Sequence, residues 1–165
     1  MKGVMCLKKL YIFLGLVLVL CGCQNRKIDS LYNYKTDFVG DNSSVSQIVS
    51  RQDYPKEFEV GAIEILSSKS PYGLKIFVKD TSNINREDLF INAIETFALI
   101  KNLDRIYYVE SGRDFEEEKN KELKDKIFIF YRKEIEEILE EKNTSIEEIS
   151  KDRESFEDFV NNWNK

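Results

Sequence analysis

Cys23 follows Gly22 directly at the end of an apolar run, and its sulfur is the atom of this chain best placed for covalent chemistry. The stretch reads Leu20-Cys21-Gly22-Cys23. A cut after the small residue Gly22 would leave Cys23 as a new N-terminus. A second constellation is Gly40-Asp41-Asn42-Ser43. Its glycine tolerates positive φ, and its oxygens stand beside a predicted helix start. Such a group could hold a cation through oxygens or an anion through backbone N–H groups. A tight turn with a helix cap uses the same residue types, so this is a candidate ligand-binding stretch with a structural alternative.

Other chemistry is restricted by what the chain lacks. It has no histidine, which removes the commonest metal ligand and the commonest acid–base group at neutral pH. No serine sits in a G-x-S-x-G or S-x-x-K context, and no Gly-rich phosphate loop is present. No metal or cofactor is expected. Asp114-Phe115-Glu116-Glu117-Glu118 lacks the alternating ligands and central glycine of an EF-hand loop and reads as a solvated charge run. Glu134, Glu136, Glu137, Glu140 and Glu141 read as the polar side of a helix. Tyr107, Tyr108 and Tyr131 could line a groove but fit face packing on strands equally well. A carboxylate pair of the glycoside-hydrolysis kind could converge from distant positions, and thirty acidic residues make chance pairs inevitable.

The elements around Cys23 have a fixed order. Lys2, Lys8 and Lys9 precede an apolar run from Leu10, as in a secretory signal. The run is about 14 residues, short of the roughly 20 that a spanning helix needs. The pattern resembles the lipobox of bacterial lipoproteins, with residues 1–22 as the cleaved signal and Cys23 as the lipidated residue. Leu20 is too large to precede a cut before Cys21. An ordinary secretory signal and an uncleaved short anchor are the alternatives. Two acyl chains would hold the protein stably, whereas one gives only marginal binding. Residues 23–33 read as a lipidated N-terminus and polar tether, and ten flexible residues reach about 17 Å. The domain would then face outward, close to the cell membrane.

Residues 34–165 are the size of one domain with its own core. The whole chain carries a net charge of −5. The predicted signal holds lysines and no carboxylate, so the domain is more acidic still. That disfavours nucleic acid and flat contact with anionic lipid.

Periodicity gives the elements. A short helix follows Asp41-Asn42-Ser43, with Val45, Ile48 and Val49 on one face. Strands are predicted over 58–66, with Gly61-Ala62 marking a bulge, and over 72–79. The short link between them predicts an antiparallel hairpin. Asn85 is the expected N-cap of a core helix over 86–101. Two further strands follow at 105–110 and 126–131, separated by a charged stretch, 111–125, that is either a loop or an exposed helix. Thr144 with Glu147 matches a capping box, and Phe156, Phe159, Val160 and Trp163 form the stripe of a last helix.

Several of these segments together resemble a bacterial family known as domain of unknown function 4825. They are Tyr34-Lys35-Thr36-Asp37-Phe38-Val39-Gly40-Asp41-Asn42-Ser43-Ser44-Val45, then Pro71-Tyr72-Gly73-Leu74, then residues 92–103 with Asp104-Arg105-Ile106. Phe130-Tyr131-Arg132-Lys133 and Asp152-Arg153-Glu154-Ser155-Phe156 fit the end. The charged insert at 115–124 departs from the pattern. The resemblance implies an extracytoplasmic sensing or interaction module and carries over no catalytic residue.

The sequence therefore predicts an α+β domain. An antiparallel sheet of about four strands packs on a central helix, and C-terminal helices complete the core. The expected role is that of a non-catalytic, lipid-anchored module binding an envelope protein or a small ligand. A carboxylate-dependent envelope hydrolase and a structural or immunity-type surface protein are the alternatives.

Overall fold

A computed structural model describes residues 30–56, 58–79, 81–110 and 127–163. The predicted signal, Gly22, Cys23 and most of the tether lie outside the described residues, as does the charged stretch 111–125. The order is a 3-10 turn (Leu31–Tyr34), α1 (Asn42–Arg51), β1 (Val60–Leu66), β2 (Gly73–Val78), a second 3-10 turn (Arg86–Leu89), α2 (Phe90–Leu99), β3 (Arg105–Glu110), β4 (Ile127–Tyr131), α3 (Arg132–Glu141), α4 (Ile146–Ser150) and α5 (Arg153–Asn162). The class is α+β, as expected.

The sheet order is β1-β2-β3-β4. β1 pairs with β2 antiparallel, and Val60↔Val78 gives way to Ile63↔Ile76, so β1 holds one extra residue at the expected bulge. β3 and β4 are also antiparallel. The central pair is not: β2 and β3 run parallel, from Gly73↔Arg105 to Val78↔Glu110. The expectation of a wholly antiparallel sheet is thus corrected to a mixed one. The cause is the connection. The stretch from Lys79 to Asp104 contains a whole helix, and a helix-bearing crossover returns the chain to the same edge of the next strand.

Leu74, Ile76, Val78, Ile106, Tyr108 and Phe130 project from one face of the sheet into a single core shared with Val45, Ile48, Ile94, Phe97, Ile135, Leu139, Ile149 and Phe156. α2 is the centre of that core, with every residue from Asn92 to Leu99 buried. The predicted helix over 86–101 is divided. Asn85 starts a 3-10 turn in which the Asp88 carboxyl accepts its N–H at 2.8 Å, and the α-helix proper begins at Phe90. The last cap also shifts by one residue: Ser145, not Thr144, accepts from the N–H of Glu148. Asp152 caps α5 through the N–H of Ser155. Leu31, Tyr32 and Tyr34 pack against the core.

Candidate functional site

α1 ends at Arg51, and the chain then turns the Gln52 side chain inward onto α2. Gln52 Nε2 lies 2.8 Å from the carbonyl of Asn92, 3.0 Å from Glu95 Oε2 and 3.1 Å from Thr96 Oγ1. Its Oε1 accepts the Tyr54 hydroxyl at 2.8 Å. Thr96 returns its hydroxyl to the Asn92 carbonyl at 2.7 Å, and Asn92 Nδ2 donates to the carbonyl of Asp53 at 3.1 Å. One amide side chain thus ties the segment after α1 to the middle of α2.

Glu95 is the ionisable member of this network. It is 6% exposed, and Gln52 is its one hydrogen-bond donor among the described residues. Burial pushes its carboxyl up to about 7; the hydrogen bond from Gln52 opposes the shift and the charge of Asp53 adds to it. Beneath it, burial raises the Tyr54 and Tyr108 hydroxyls, and the Glu95 charge raises both further. These phenols stay neutral. Asn92 Oδ1 is buried without a hydrogen-bond partner among the described residues.

Gln52 and Glu95 form the floor of a cleft of about 400 Å³ between the end of α1, the first 3-10 turn and α5. Leu31, Phe156 and Val160 give it apolar walls. Arg51, Asp53 and Glu157 stand at its exposed edge. The arrangement combines an open cleft, an apolar wall and a carboxyl that changes charge near neutrality, features expected of a ligand site.

The residues singled out from the sequence fall elsewhere. Gly40, Asp41, Asn42 and Ser43 form the turn into α1. The N–H of Asp41 donates to the Phe38 carbonyl at 3.0 Å, and Asp41 Oδ1 accepts from the N–H of Ser44 at 3.2 Å. Hydrogen bonds from Ser44 hold the Asp41 carboxyl below its ordinary value. Gly40 does not occupy the left-handed region that its type permits. None of the four lines the Glu95 cleft. Glu134 is engaged by the Arg86 guanidinium, with both carboxylate oxygens at 2.7 Å. Tyr108 is fully buried and Tyr131 half-exposed. Three carboxylates, Asp53, Glu95 and Glu157, line this one cleft.

Glu95 had a visible signal. It is the single ionisable residue in Phe90-Ile91-Asn92-Ala93-Ile94-Glu95-Thr96-Phe97-Ala98-Leu99-Ile100. A helix apolar on nearly every side is buried all round, so its one carboxyl had to be buried too. Gln52 and Asp53 gave no such signal, because they lie in an irregular segment.

Among the described residues no three His, Cys, Asp or Glu side chains are placed to hold a metal ion. None of the described helices is long and apolar enough to cross a membrane. The profile of a family described as Domain of unknown function (DUF4825) matches residues 31–124. The matched stretch includes Gln52, Asp53 and Glu95, while the α5 wall of the cleft lies beyond it. No curated protein and no solved structure matches the chain. With more than half of its length matched, the chain belongs to the domain of unknown function 4825 family.

Proposed function

We propose that the protein is a lipid-anchored extracytoplasmic module that binds a small ligand or an envelope partner without transforming it. The anchor rests on Leu20-Cys21-Gly22-Cys23 and the charged and apolar segments before it. Acylation of Cys23 after a cut at Gly22 would leave seven residues between the lipid and Ser30, a reach of roughly 15 Å for a flexible tether. The domain would then work close to the outer face of the cell membrane. Its acidity argues against nucleic acid as a partner.

The observation that carries the binding reading is the under-coordinated Glu95 carboxyl at the floor of the cleft. A buried charge that serves only the fold is normally saturated with partners. Acyl labelling of the intact chain in cells tests the anchor. Cys23→Ser should abolish labelling and release the domain from the membrane fraction; continued labelling would refute the assignment. Crosslinking in cells from a photoreactive side chain at Asn161, on the cleft edge, tests the binding role. A reproducible captured ligand that Glu95→Gln diminishes supports it; equal capture by the variant counts against it.

The presence of Asp53, Glu95 and Glu157 in the lining of one cleft favours one second reading, a carboxylate-dependent hydrolase. Glu95 would hold the proton, as a carboxyl with a value near neutrality can. In that case Glu95→Gln would abolish turnover while ligand capture persisted.

A further inference from the structure

We infer that the Glu95 cleft takes a small primary amine in its protonated, alkylammonium form, with the ammonium group on Glu95 and the carbon chain against Phe156 and Val160. This deepens the binding reading above and rests on it.

The polar lining of the cleft is dominated by acceptors. Carboxylates come from Asp53, Glu95 and Glu157, against one guanidinium from Arg51. Glu95 accepts a single hydrogen bond, at Oε2 from Gln52, and no described residue donates to Oε1. The Ser30 hydroxyl oxygen, also in the lining, is buried without a partner. Gln52 cannot donate further, because its amide hydrogens already serve three acceptors. Asn161 and Arg51 can donate from the edge, but at the floor the open position is the Glu95 Oε1 acceptor, which a donor on the ligand would fill. An ammonium group offers three donors and the opposite charge. A carboxylate or phosphate would meet the buried Glu95 carboxyl at the floor and two more carboxylates at the edge, against one guanidinium.

The apolar wall sets the rest of the ligand. Phe156 is 3% exposed, and Val160 lies one helical turn further along α5. A chain of about four carbons lies along that wall in a cleft of about 400 Å³, at the small end of ligand sites.

Proton linkage supplies an independent signature. The charged and titratable groups around Glu95 are Asp53 and Arg51 at the end of α1, Tyr54 and Tyr108 beneath it, and Glu157 on α5. With Glu95 near 7, only its ionised fraction pairs with an ammonium. Apparent affinity scales with that fraction, so it should rise about tenfold from pH 6 to pH 8. An alkylamine stays protonated throughout.

Calorimetric titration of the full chain with n-butylammonium, n-butanol and butyrate tests the inference. Saturable binding of n-butylammonium alone is expected, tighter by about tenfold at pH 8 than at pH 6. Glu95→Gln, which keeps the side-chain shape, should weaken binding at pH 8 at least tenfold and remove the pH dependence. Val160→Trp, which fills the cleft and leaves Glu95 in place, should also weaken it. Equal binding of butanol, unchanged affinity in Glu95→Gln, or no binding of n-butylammonium would overturn the amine assignment. Butanol or butyrate binding that Val160→Trp abolishes and Glu95→Gln spares would overturn it while keeping the cleft as a binding site.

Discussion

Arg132 and Glu95 are both taken largely out of water against α2, one at its end and one in its middle, and they differ in how fully they are partnered. The Arg132 guanidinium donates to the carbonyls of Leu103 at 2.7 Å, Phe97 at 2.9 Å and Ile100 at 2.8 Å. It stacks 5.2 Å from the Phe97 ring centroid and has Glu136 at 3.9 Å. The Phe97 and Ile100 carbonyls belong to the end of α2, where helical geometry leaves acceptors unpaired, and a cation there also meets the negative end of the helix dipole; that of Leu103 lies in the link to β3. Burial pulls the guanidinium below its ordinary value, and Glu136, Glu147 and Asp104 push it back. Glu95 has one donor and an open cleft. A buried charge tied to three backbone carbonyls serves the fold. One with capacity left over lowers stability and is free for a ligand.

Breaking the better-partnered charge should have the largest effect. Arg132→Ala leaves three carbonyls without their donor, and a loss of about 4 kcal/mol in chemical denaturation is expected. Arg132→Lys should recover less than half of that, because an ammonium lacks the planar fork. A loss under about 1 kcal/mol for the alanine variant would remove the contrast.

Glu95 should behave in the opposite sense. Its carboxyl sits at about 7 in the folded protein against an ordinary value of 4.5. Below pH 4.5 it is protonated whether folded or unfolded, and its burial carries no charge penalty. Between these values the unfolded chain releases a proton that the folded one keeps, so stability falls as pH rises. Above 7 the full penalty applies, about 3 kcal/mol. Glu95→Gln should remove that slope and make the protein more stable than wild type at pH 8. Denaturation midpoints for both proteins from pH 4 to pH 8 check this, and parallel curves would show that Glu95 is not the titrating group.

The caps give smaller effects. Asp152→Ala removes the acceptor for the N–H of Ser155 and should cost about 1 kcal/mol. It also loosens α5, the wall of the cleft, so ligand affinity should fall with it. Asp41→Ala should cost a similar or smaller amount and leave n-butylammonium binding unchanged. A loss of binding there would return the site to Gly40-Asp41-Asn42-Ser43.

Much of this fold was legible in the chain. The bulge at Gly61-Ala62, the apolar faces of α1 and α5 and the core character of α2 follow from period alone. The direction of β3 against β2 does not, because alternation is the same in parallel and antiparallel strands. It could have been read from the helix-bearing connection between them. The candidate site was harder. Asp41 advertises itself in a polar turn, where the physics of capping accounts for it. Glu95 sits among apolar residues, where a stripe-based reading treats it as the polar side of the helix. Its partners come from Gln52 and from α5, 43 and about 60 residues away in sequence, and no local pattern links them.

The most direct measurement is a ¹³C NMR titration of the Glu95 side-chain carboxyl in the full chain, with and without n-butylammonium. The expected midpoint is about 7 without the amine, moving downward as the amine is added because the ammonium favours the ionised form. A midpoint near the ordinary glutamate value, or one near 7 that the amine leaves in place, would contradict the assignment of this carboxyl as the open charge of a ligand site.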